Sequence, residues 1–328
     1  MPGLVIYVRI DGGFSVWDPA RNYWKKPAAR EYEQADRPAA FQFTQEQVWK
    51  GLETEEGTVL CNGLLRDWIL WQFQKKELFQ VLTKVLAGLS PRADEVLRPG
   101  EPIRSSLVDV REEPTLELPY GTIPVTIASA GMRRVLALAY LLVWTWSEHK
   151  AASQLLQQTP TDRLVLLMDE VEAHLHPQWQ RVLLPEVLAV TSELYSDMFK
   201  QNIQILAATH APLVLASIES MFDPETDRLI TFLPRKEKLD VVVATEEWSK
   251  QGDVLGWLVS DAFGLKQARS REAERAIESA EAFMREDLNA LPPDLRTREQ
   301  IHQELMRLLP GHDPFWPRWV VAGKEIER

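Results

Sequence analysis

The chain has 328 residues, of which 45% are hydrophobic and 26% are charged, and its formal net charge is -11. This composition is typical of a globular protein with one large α/β domain or two domains, and the charge argues against a broad nucleic-acid-coating surface. The single cysteine, Cys61, excludes a disulfide framework within the chain and suits a reducing cytosol. No secretion signal and no apolar stretch of membrane-spanning length is present, so we expect a cytoplasmic protein without a membrane partner.

The N-terminal part of the sequence predicts paired strands and one long helix. Alternating residues on either side of Asp11-Gly12-Gly13 are typical of a β-hairpin, and apolar residues at helical spacing follow further on. In chain order we expect a hairpin (Leu4 to Ile10 and Phe14 to Trp17), a loop (Ala20 to Gln42), a helix (about Gly63 to Ala87, capped by Asn62) and a connector (Leu89 to Pro102).

The central part of the sequence alternates strands with helices. We expect short strands at Leu107 to Val110, Leu116 to Leu118 and Pro124 to Ile127, a helix from Gly131 to about Trp146, a strand at Leu164 to Met168, a helix from Pro177 to about Tyr195, a strand at Ile203 to Ala208 and a helix from Pro212. Leu164 to Met168 is continuously apolar, which is typical of a strand buried on both faces of a parallel sheet. Beyond it, Leu229 to Leu233 and Val241 to Ala244 look like edge strands, and the chain reads as helical from Gly252 onward.

Two polar pairs come directly after the two buried strands. Asp169-Glu170 follows the first strand and Thr209-His210 follows the second. Because strand and helix alternate here, we expect a parallel sheet, and ligands of such sheets sit at the carboxyl ends of the strands. The two pairs should therefore share one crevice.

The acid pair has a chemical interpretation and a structural alternative. In nucleotide hydrolases the first carboxylate holds Mg²⁺ and the second polarises the attacking water. Acidic residues are also favoured at the N-terminus of any helix that follows a strand. Asp169-Glu170 alone leaves both interpretations open.

The residues after the acid pair carry a family resemblance. The segment Asp169 to Pro177 reads Asp-Glu-x-Glu-x-His-Leu-His-Pro and resembles ATP-binding-cassette ATPases of the RecF-like and OLD-type subfamily, although Val171 stands where many relatives have proline. The resemblance implies ATP and Mg²⁺ as cofactors, with Asp169 holding Mg²⁺ and Glu170 activating water. It also implies that His176 lies at the interface between two sites.

Two further segments resemble motifs of the same family. Ile205 to Pro212 resembles the switch-histidine segment, which implies that His210 senses the γ-phosphate. Ala128 to Arg134 resembles the signature motif, with alanine and methionine at two positions where the family has glycine and glutamine. At a helix N-terminus a serine hydroxyl and free backbone N–H groups can bind an anion, and an ordinary N-cap serine is the alternative. The resemblance implies contacts to the γ-phosphate of a partner subunit's ATP from Ser129, Ala130, Gly131 and Arg133.

The sequence contains no Gly-x-x-x-x-Gly-Lys-Ser/Thr, the loop that cradles the phosphates of bound nucleotide in such enzymes. We therefore expect this chain to be the C-terminal portion of an ATPase. Its partner would be a second copy in a homodimer or a segment that carries the phosphate-binding loop.

These observations predict an α/β fold with a P-loop-NTPase-like parallel sheet, flanking helices, antiparallel β additions and a helical C-terminal extension. We divide the chain into an N-terminal hairpin and helical region (1–110), an ATPase core (111–250) and the extension (251–328). The family resemblance points to DNA maintenance or anti-phage defence, with an effector protein or DNA as further partners.

Two other functions remain open from the sequence. His174 and His176, with carboxylates nearby, could ligate Zn²⁺ in a metal-dependent hydrolase. Alternatively, the chain could be a catalytically silent dimerisation module, since it lacks the phosphate-binding loop.

Overall fold

The computed structural model describes residues 3–22, 39–194, 202–235 and 240–326. The chain forms two compact units, Met1–Asp227 and Arg228–Arg328. The predicted division at residues 110 and 250 stays a prediction. Most of the predicted loop at Ala20 to Gln42 lies outside the described residues, although its last residues enter a strand.

The first unit contains ten described strands and seven described helices. The strands are β1 (Leu4–Val8), β2 (Phe14–Trp17), β3 (Phe41–Phe43), β4 (Leu52–Glu53), β5 (Val59–Cys61), β6 (Arg98–Ile103), β7 (Glu113–Leu118), β8 (Gly121–Pro124), β9 (Leu164–Met168) and β10 (Ile203–Ala207). The helices are α1 (Gln45–Lys50), α2 (Leu64–Phe73), α3 (Lys76–Gly88), α4 (Ala130–Leu155), α5 (Pro177–Gln180), α6 (Leu183–Leu194) and α7 (Pro212–Ile218), with a 3-10 turn at Val125–Ile127.

The main sheet has the strand order β10-β9-β1-β2-β3. β9 pairs in parallel with both β1 and β10, whereas β2 pairs antiparallel with β1 and with β3. Smaller antiparallel pairings join β4 to β5 and β6 to β7 and β8. The predicted α/β class is therefore confirmed, with parallel strands at the centre and antiparallel additions.

One face of the main sheet is more deeply buried than the other. Leu164, Leu166 and Met168 are buried, while the alternate residues Val165 and Leu167 stay partly exposed. β1 shows the same alternation. The prediction that β9 is buried on both faces is therefore wrong, because its second face stays partly exposed in the described structure.

Helix α4 is the central helix of the core, and most of its residues to Trp146 are buried. It runs two turns further than predicted because His149 and Ser153 continue the buried face at a spacing of four residues. The His149 ring nitrogen Nε2 accepts a hydrogen bond from the backbone N–H of Thr161 (2.9 Å), so its Nδ1 carries the proton toward Asp18 (2.7 Å). This buried pair ties α4 to the end of the N-terminal hairpin.

Three predictions in the N-terminal half are wrong. The single helix predicted after Asn62 is two helices, α2 and α3, and the cap position belongs to Gly63, which has a φ of 84°. Residues 107–110, predicted as a strand, are described and form no strand. Leu107 is 98% exposed, so it makes no core contact that would stabilise one. The predicted connector contains β6, which is an edge strand of the described β6-β7-β8 sheet, a position where proline is tolerated.

The second unit combines a hairpin with a small helical core. It contains β11 (Leu229–Arg235), β12 (Asp240–Glu246), α8 (Val254–Val259), α9 (Arg271–Met284), α10 (Arg298–Leu308), α11 (Trp316–Ile326) and a 3-10 turn at Leu288–Ala290. β11 and β12 form an antiparallel pair, and Ile277, Ile301 and Trp319 lie in one buried cluster. The predicted helical extension is confirmed. No helix in the described part of the chain has the length and apolar character needed to cross a membrane.

A buried polar network lies where α2 meets α4. Asp67 is 3% exposed and accepts hydrogen bonds from the Tyr140 hydroxyl (2.8 Å) and the Asn62 side-chain amide (2.8 Å). The Tyr140 oxygen also lies 3.1 Å from Cys61 Sγ. Burial raises the pKa of Asp67 above its ordinary value, and burial raises the pKa of Cys61 to about 11.

The raised pKa of Asp67 predicts a pH-dependent contribution to stability. Because the folded state favours the protonated carboxyl, this contribution is present below the ordinary Asp pKa of 3.8 and is lost as pH rises through the raised folded value. Asp67→Asn, which is always neutral, should therefore gain stability relative to the parent chain as pH increases from 3.5 to 7. Urea unfolding across that range measures the difference, with the exposed Glu55→Gln as control. A difference that stays constant with pH for Asp67→Asn would contradict this account.

Candidate functional site

The carboxyl ends of β1, β9 and β10 meet at one edge of the main sheet. The backbone N–H of Asp169 donates to the carbonyl of Val8 (3.0 Å), and the backbone N–H of Ala208 donates to the carbonyl of Met168 (2.8 Å). Just beyond, the N–H of Val171 donates to the carbonyl of Ala208 (3.2 Å). The residues that follow all three strands are therefore adjacent, as the strand and helix alternation predicts.

The acid pair lies in a tight turn at this edge. Asp169 and Glu170 are both partly buried, and Glu170 has a φ of 44°, in the left-handed region that residues other than glycine rarely occupy. The Tyr7 hydroxyl lies 3.4 Å from Asp169 Oδ2, which is long for a hydrogen bond. Sequence reasoning missed Tyr7, although its position near the end of β1 could have suggested it.

Glu172 connects the acid-pair segment to the end of β10. Its carboxylate accepts hydrogen bonds from the Thr209 hydroxyl (2.6 Å) and from the backbone N–H of His210 (2.6 Å). The backbone of His210 is thereby fixed beside the acid pair, while the His210 side chain is exposed. Sequence reasoning treated Glu172 only as a carboxylate near the two histidines, because its contact with Thr209 and His210 depends on the pairing of β9 with β10.

The residues of the predicted signature segment lie at the start of α4. The Ser129 hydroxyl accepts a hydrogen bond from the backbone N–H of Met132 (3.3 Å), so Ser129 is the N-cap of α4. Ser129 and Ala130 are exposed, whereas Gly131 is buried. Arg133 is partly buried, and its Nε has no hydrogen-bond partner among the described residues.

Gly131 lies against the segment that follows the acid pair. A Cβ atom added at Gly131 would lie 2.8 Å from the carbonyl oxygen of His174, which is a backbone atom. The start of α4 and the segment containing His174 are therefore packed together within one chain, and the close approach requires glycine.

The two histidines of the acid-pair segment are both exposed. His174 has a left-handed backbone, with a φ of 63°, and His176 is the N-cap of α5, its Nδ1 3.4 Å from the backbone nitrogen of Gln178. Within the described ranges, no group of three or more His, Cys, Asp or Glu residues is arranged to hold a metal ion. Nothing in the geometry favours the metal-hydrolase interpretation of His174 and His176.

A protein-family match covers the part of the chain that contains the acid pair and the start of α4. Residues 79–216 match the family model described as "AAA domain, putative AbiEii toxin, Type IV TA system", which is less than half of the chain but includes Ser129, Asp169, Glu170 and His210. Together with the sheet and its flanking helices, this match supports a P-loop-NTPase-like AAA domain with an ATPase-type nucleotide-binding function.

Among solved structures, the chain is weakly similar to the Smc head domain with an extended coiled coil bound to the C-terminal domain of ScpA, from Pyrococcus furiosus. The identity is 15% and the TM-score is 0.30, over 55% of this chain. The chain spans 37% of the length of that solved chain.

The close approach at Gly131 gives a test of the site's packing. Glycine to alanine usually stabilises a helix by roughly 0.5–1 kcal/mol, but overpacking typically costs about 1–3 kcal/mol. Gly131→Ala should therefore lower the free energy of unfolding, because the added methyl group meets the His174 carbonyl. Denaturant unfolding measures this, with Gly311→Ala, where nothing lies within 4 Å of the added atom, as the matched control. Equal effects of the two substitutions would rule out the contact.

Proposed function

We propose that this chain contributes the magnesium-binding and water-activating part of an ATPase site, and that ATP drives two copies to associate. The observation that carries the proposal is the position of the acid pair at the end of β9. Glu172 links that turn to His210 at the end of the adjacent strand, within the segment that matches an AAA domain.

The donor set at the acid pair suits Mg²⁺. This ion prefers oxygen ligands and is commonly held by one or two carboxylates together with substrate phosphates and water. The Asp169 carboxylate, partly buried beside Tyr7, would hold Mg²⁺, which would neutralise charge on the phosphates of ATP. Glu170 would orient the attacking water and accept its proton, because it directly follows Asp169 at the end of β9 and is partly exposed.

The remaining residues would contact nucleotide from two directions. His210 would hydrogen-bond the γ-phosphate within its own subunit, from a backbone position fixed by Glu172. The N-terminus of α4 would face the ATP of a partner copy, because free N–H groups and the helix dipole favour an anion there. The residues in this second group are Ser129, Ala130, Gly131 and Arg133, with His176 between the two sites.

The phosphate-binding loop would come from a segment outside this sequence, and we place its strand beside β10. The carbonyl of Asn202 accepts a hydrogen bond from the N–H of Leu164 (3.0 Å), and the N–H of Ala208 donates to the carbonyl of Met168 (2.8 Å). The backbone N–H and C=O groups of the even-numbered residues of β10 therefore point toward β9. The backbone groups of Ile203, Ile205 and Ala207 then point outward from the edge of the sheet. A parallel strand added there would end beside His210 and the acid pair.

The biological setting is a further proposal. The resemblance to RecF-like and OLD-type ATPases favours DNA maintenance or anti-phage defence, and the matching family's description names a toxin of a toxin–antitoxin system. We infer that ATP-dependent association would control a separate effector protein or binding to DNA. The net charge of -11 restricts any DNA contact to a local patch.

The first experiment separates the two acids in protein assembled with a phosphate-loop segment. Glu170→Gln keeps the size of the side chain but removes the general base, which should slow ATP hydrolysis by about 10²–10⁴-fold. Mg²⁺ and ATP should stay bound, so the dimer should accumulate. Asp169→Asn should weaken Mg²⁺ binding and leave monomers.

Size-exclusion chromatography with ATP and Mg²⁺, run beside a hydrolysis assay, measures both effects. Hydrolysis by Glu170→Gln at the parent rate would show that the assigned roles are wrong. ATP binding without turnover in the parent assembly would instead favour the catalytically silent module.

The second experiment tests the edge of β10. Ile205→Pro removes an outward-facing N–H and should prevent a strand from adding, while sparing the hydrogen bonds to β9. Ile205→Val, the matched control, should still assemble with the phosphate-loop segment in a pull-down. Leu206→Pro should instead lower the melting temperature of the chain itself, because the Leu206 N–H faces β9. Full assembly by Ile205→Pro would exclude this docking mode.

A further inference from the structure

A single arginine side chain contacts the backbone of the acid pair. Arg134, in the first turns of α4, donates from Nη2 to the carbonyls of both Asp169 and Glu170, each at 3.1 Å. Its Nη1 donates to the carbonyl of Ile10, in the turn between β1 and β2, also at 3.1 Å. One guanidinium therefore joins the start of α4, the N-terminal hairpin and the acid-pair turn.

The backbone conformation of Glu170 explains how one donor atom reaches two successive carbonyls. In an extended strand, successive carbonyls point in opposite directions, so they cannot share a donor. The left-handed φ of 44° at Glu170 turns the chain so that both carbonyls face Arg134 Nη2. A non-glycine residue keeps such a conformation only where surrounding contacts stabilise it.

The charges around Arg134 suit this role. Burial lowers the pKa of the Arg134 guanidinium, and the nearby carboxylates of Glu170, Glu172, Asp169 and Asp11 partly oppose that shift. Its hydrogen bonds nevertheless go to backbone carbonyls and leave the carboxylate oxygens of Asp169 and Glu170 available to other ligands.

We propose that Arg134 is a positioning residue for the acid pair, holding the left-handed turn from which the carboxylates of Asp169 and Glu170 project. Its effect on metal binding and hydrolysis rests on the function proposed above. The hydrogen bonds themselves can be tested without that function.

The sequence provides a selective spectroscopic reporter for these hydrogen bonds. Asp-Glu occurs twice in the chain, as Asp94-Glu95 and Asp169-Glu170. Labelling aspartate with ¹³C at the carbonyl and glutamate with ¹⁵N therefore yields two carbonyl–amide correlations in an NMR spectrum of the intact chain. One reports on an acceptor of Arg134, and the other is an internal control for folding and for unspecific effects.

The expected result is a selective change at the acid pair. Arg134→Gln should shift the Asp169-Glu170 correlation and leave the Asp94-Glu95 correlation in place. Arg134→Lys, which keeps the charge and can donate to a carbonyl, should shift it less. Arg133→Gln, on the same helix turn, is the matched control and should leave both correlations unshifted. An unshifted Asp169-Glu170 correlation in Arg134→Gln would overturn the proposal.

A titration with Mn²⁺ alone connects the turn to metal binding. In the parent chain, Mn²⁺ should broaden the Asp169-Glu170 correlation at lower concentration than the Asp94-Glu95 correlation. In Arg134→Gln the required concentration should rise by about 10-fold or more, the size typical for loss of a group that orients a metal ligand. Equal broadening of both correlations in the parent chain would refute the metal role of Asp169. It would not affect the evidence for the Arg134 hydrogen bonds, which the shift of the correlation tests separately. An unchanged Mn²⁺ concentration in Arg134→Gln, with selective broadening retained, would refute positioning by Arg134.

Discussion

The parallel pairing of β9 with β1 and β10 is the constraint on which the rest of the site depends. It begins at Leu164 and continues past the ends of the strands, where the N–H of Asp169 still donates to Val8 and that of Ala208 to Met168. Because all three strands run in the same direction, the turns that follow them lie at one edge. A slip of one residue in either pairing would turn the residues after one strand toward the opposite face from those after its neighbour.

Two charged side chains stabilise this edge in complementary ways. Glu172 accepts hydrogen bonds from groups at the end of β10, and Arg134 donates hydrogen bonds to carbonyls of the acid pair. Strand ends leave backbone groups without ladder partners, and buried groups of this kind are costly unless they are paired. The two side chains supply partners for backbone groups at this edge, so the turn is held through its backbone and neither side chain occupies the carboxylates of Asp169 and Glu170.

The sequence predicted the elements whose signal is local. The apolar runs of β9 and β10 are bounded by polar residues, and Ser129 begins α4 as an N-cap, so these boundaries agree with the structure. The break between α2 and α3 could not be predicted from the sequence, because apolar residues continue at helical spacing on both sides of the break. The contacts of Tyr7, Glu172 and Arg134 join residues far apart in sequence, which residue spacing alone cannot place.

Among the described residues β10 is an edge strand, and this position has a consequence for the behaviour of the chain in a cell. Ile203–Ala207 has no charge, proline or bulge of the kind that protects most edge strands from unwanted pairing, and Leu206 is 46% exposed on the less buried face. The backbone groups that would receive a partner strand would equally receive a strand from another misplaced chain. Synthesis without a matching strand would therefore favour aggregation or recognition by chaperones, so a strand paired at this edge would also protect the chain from misassembly.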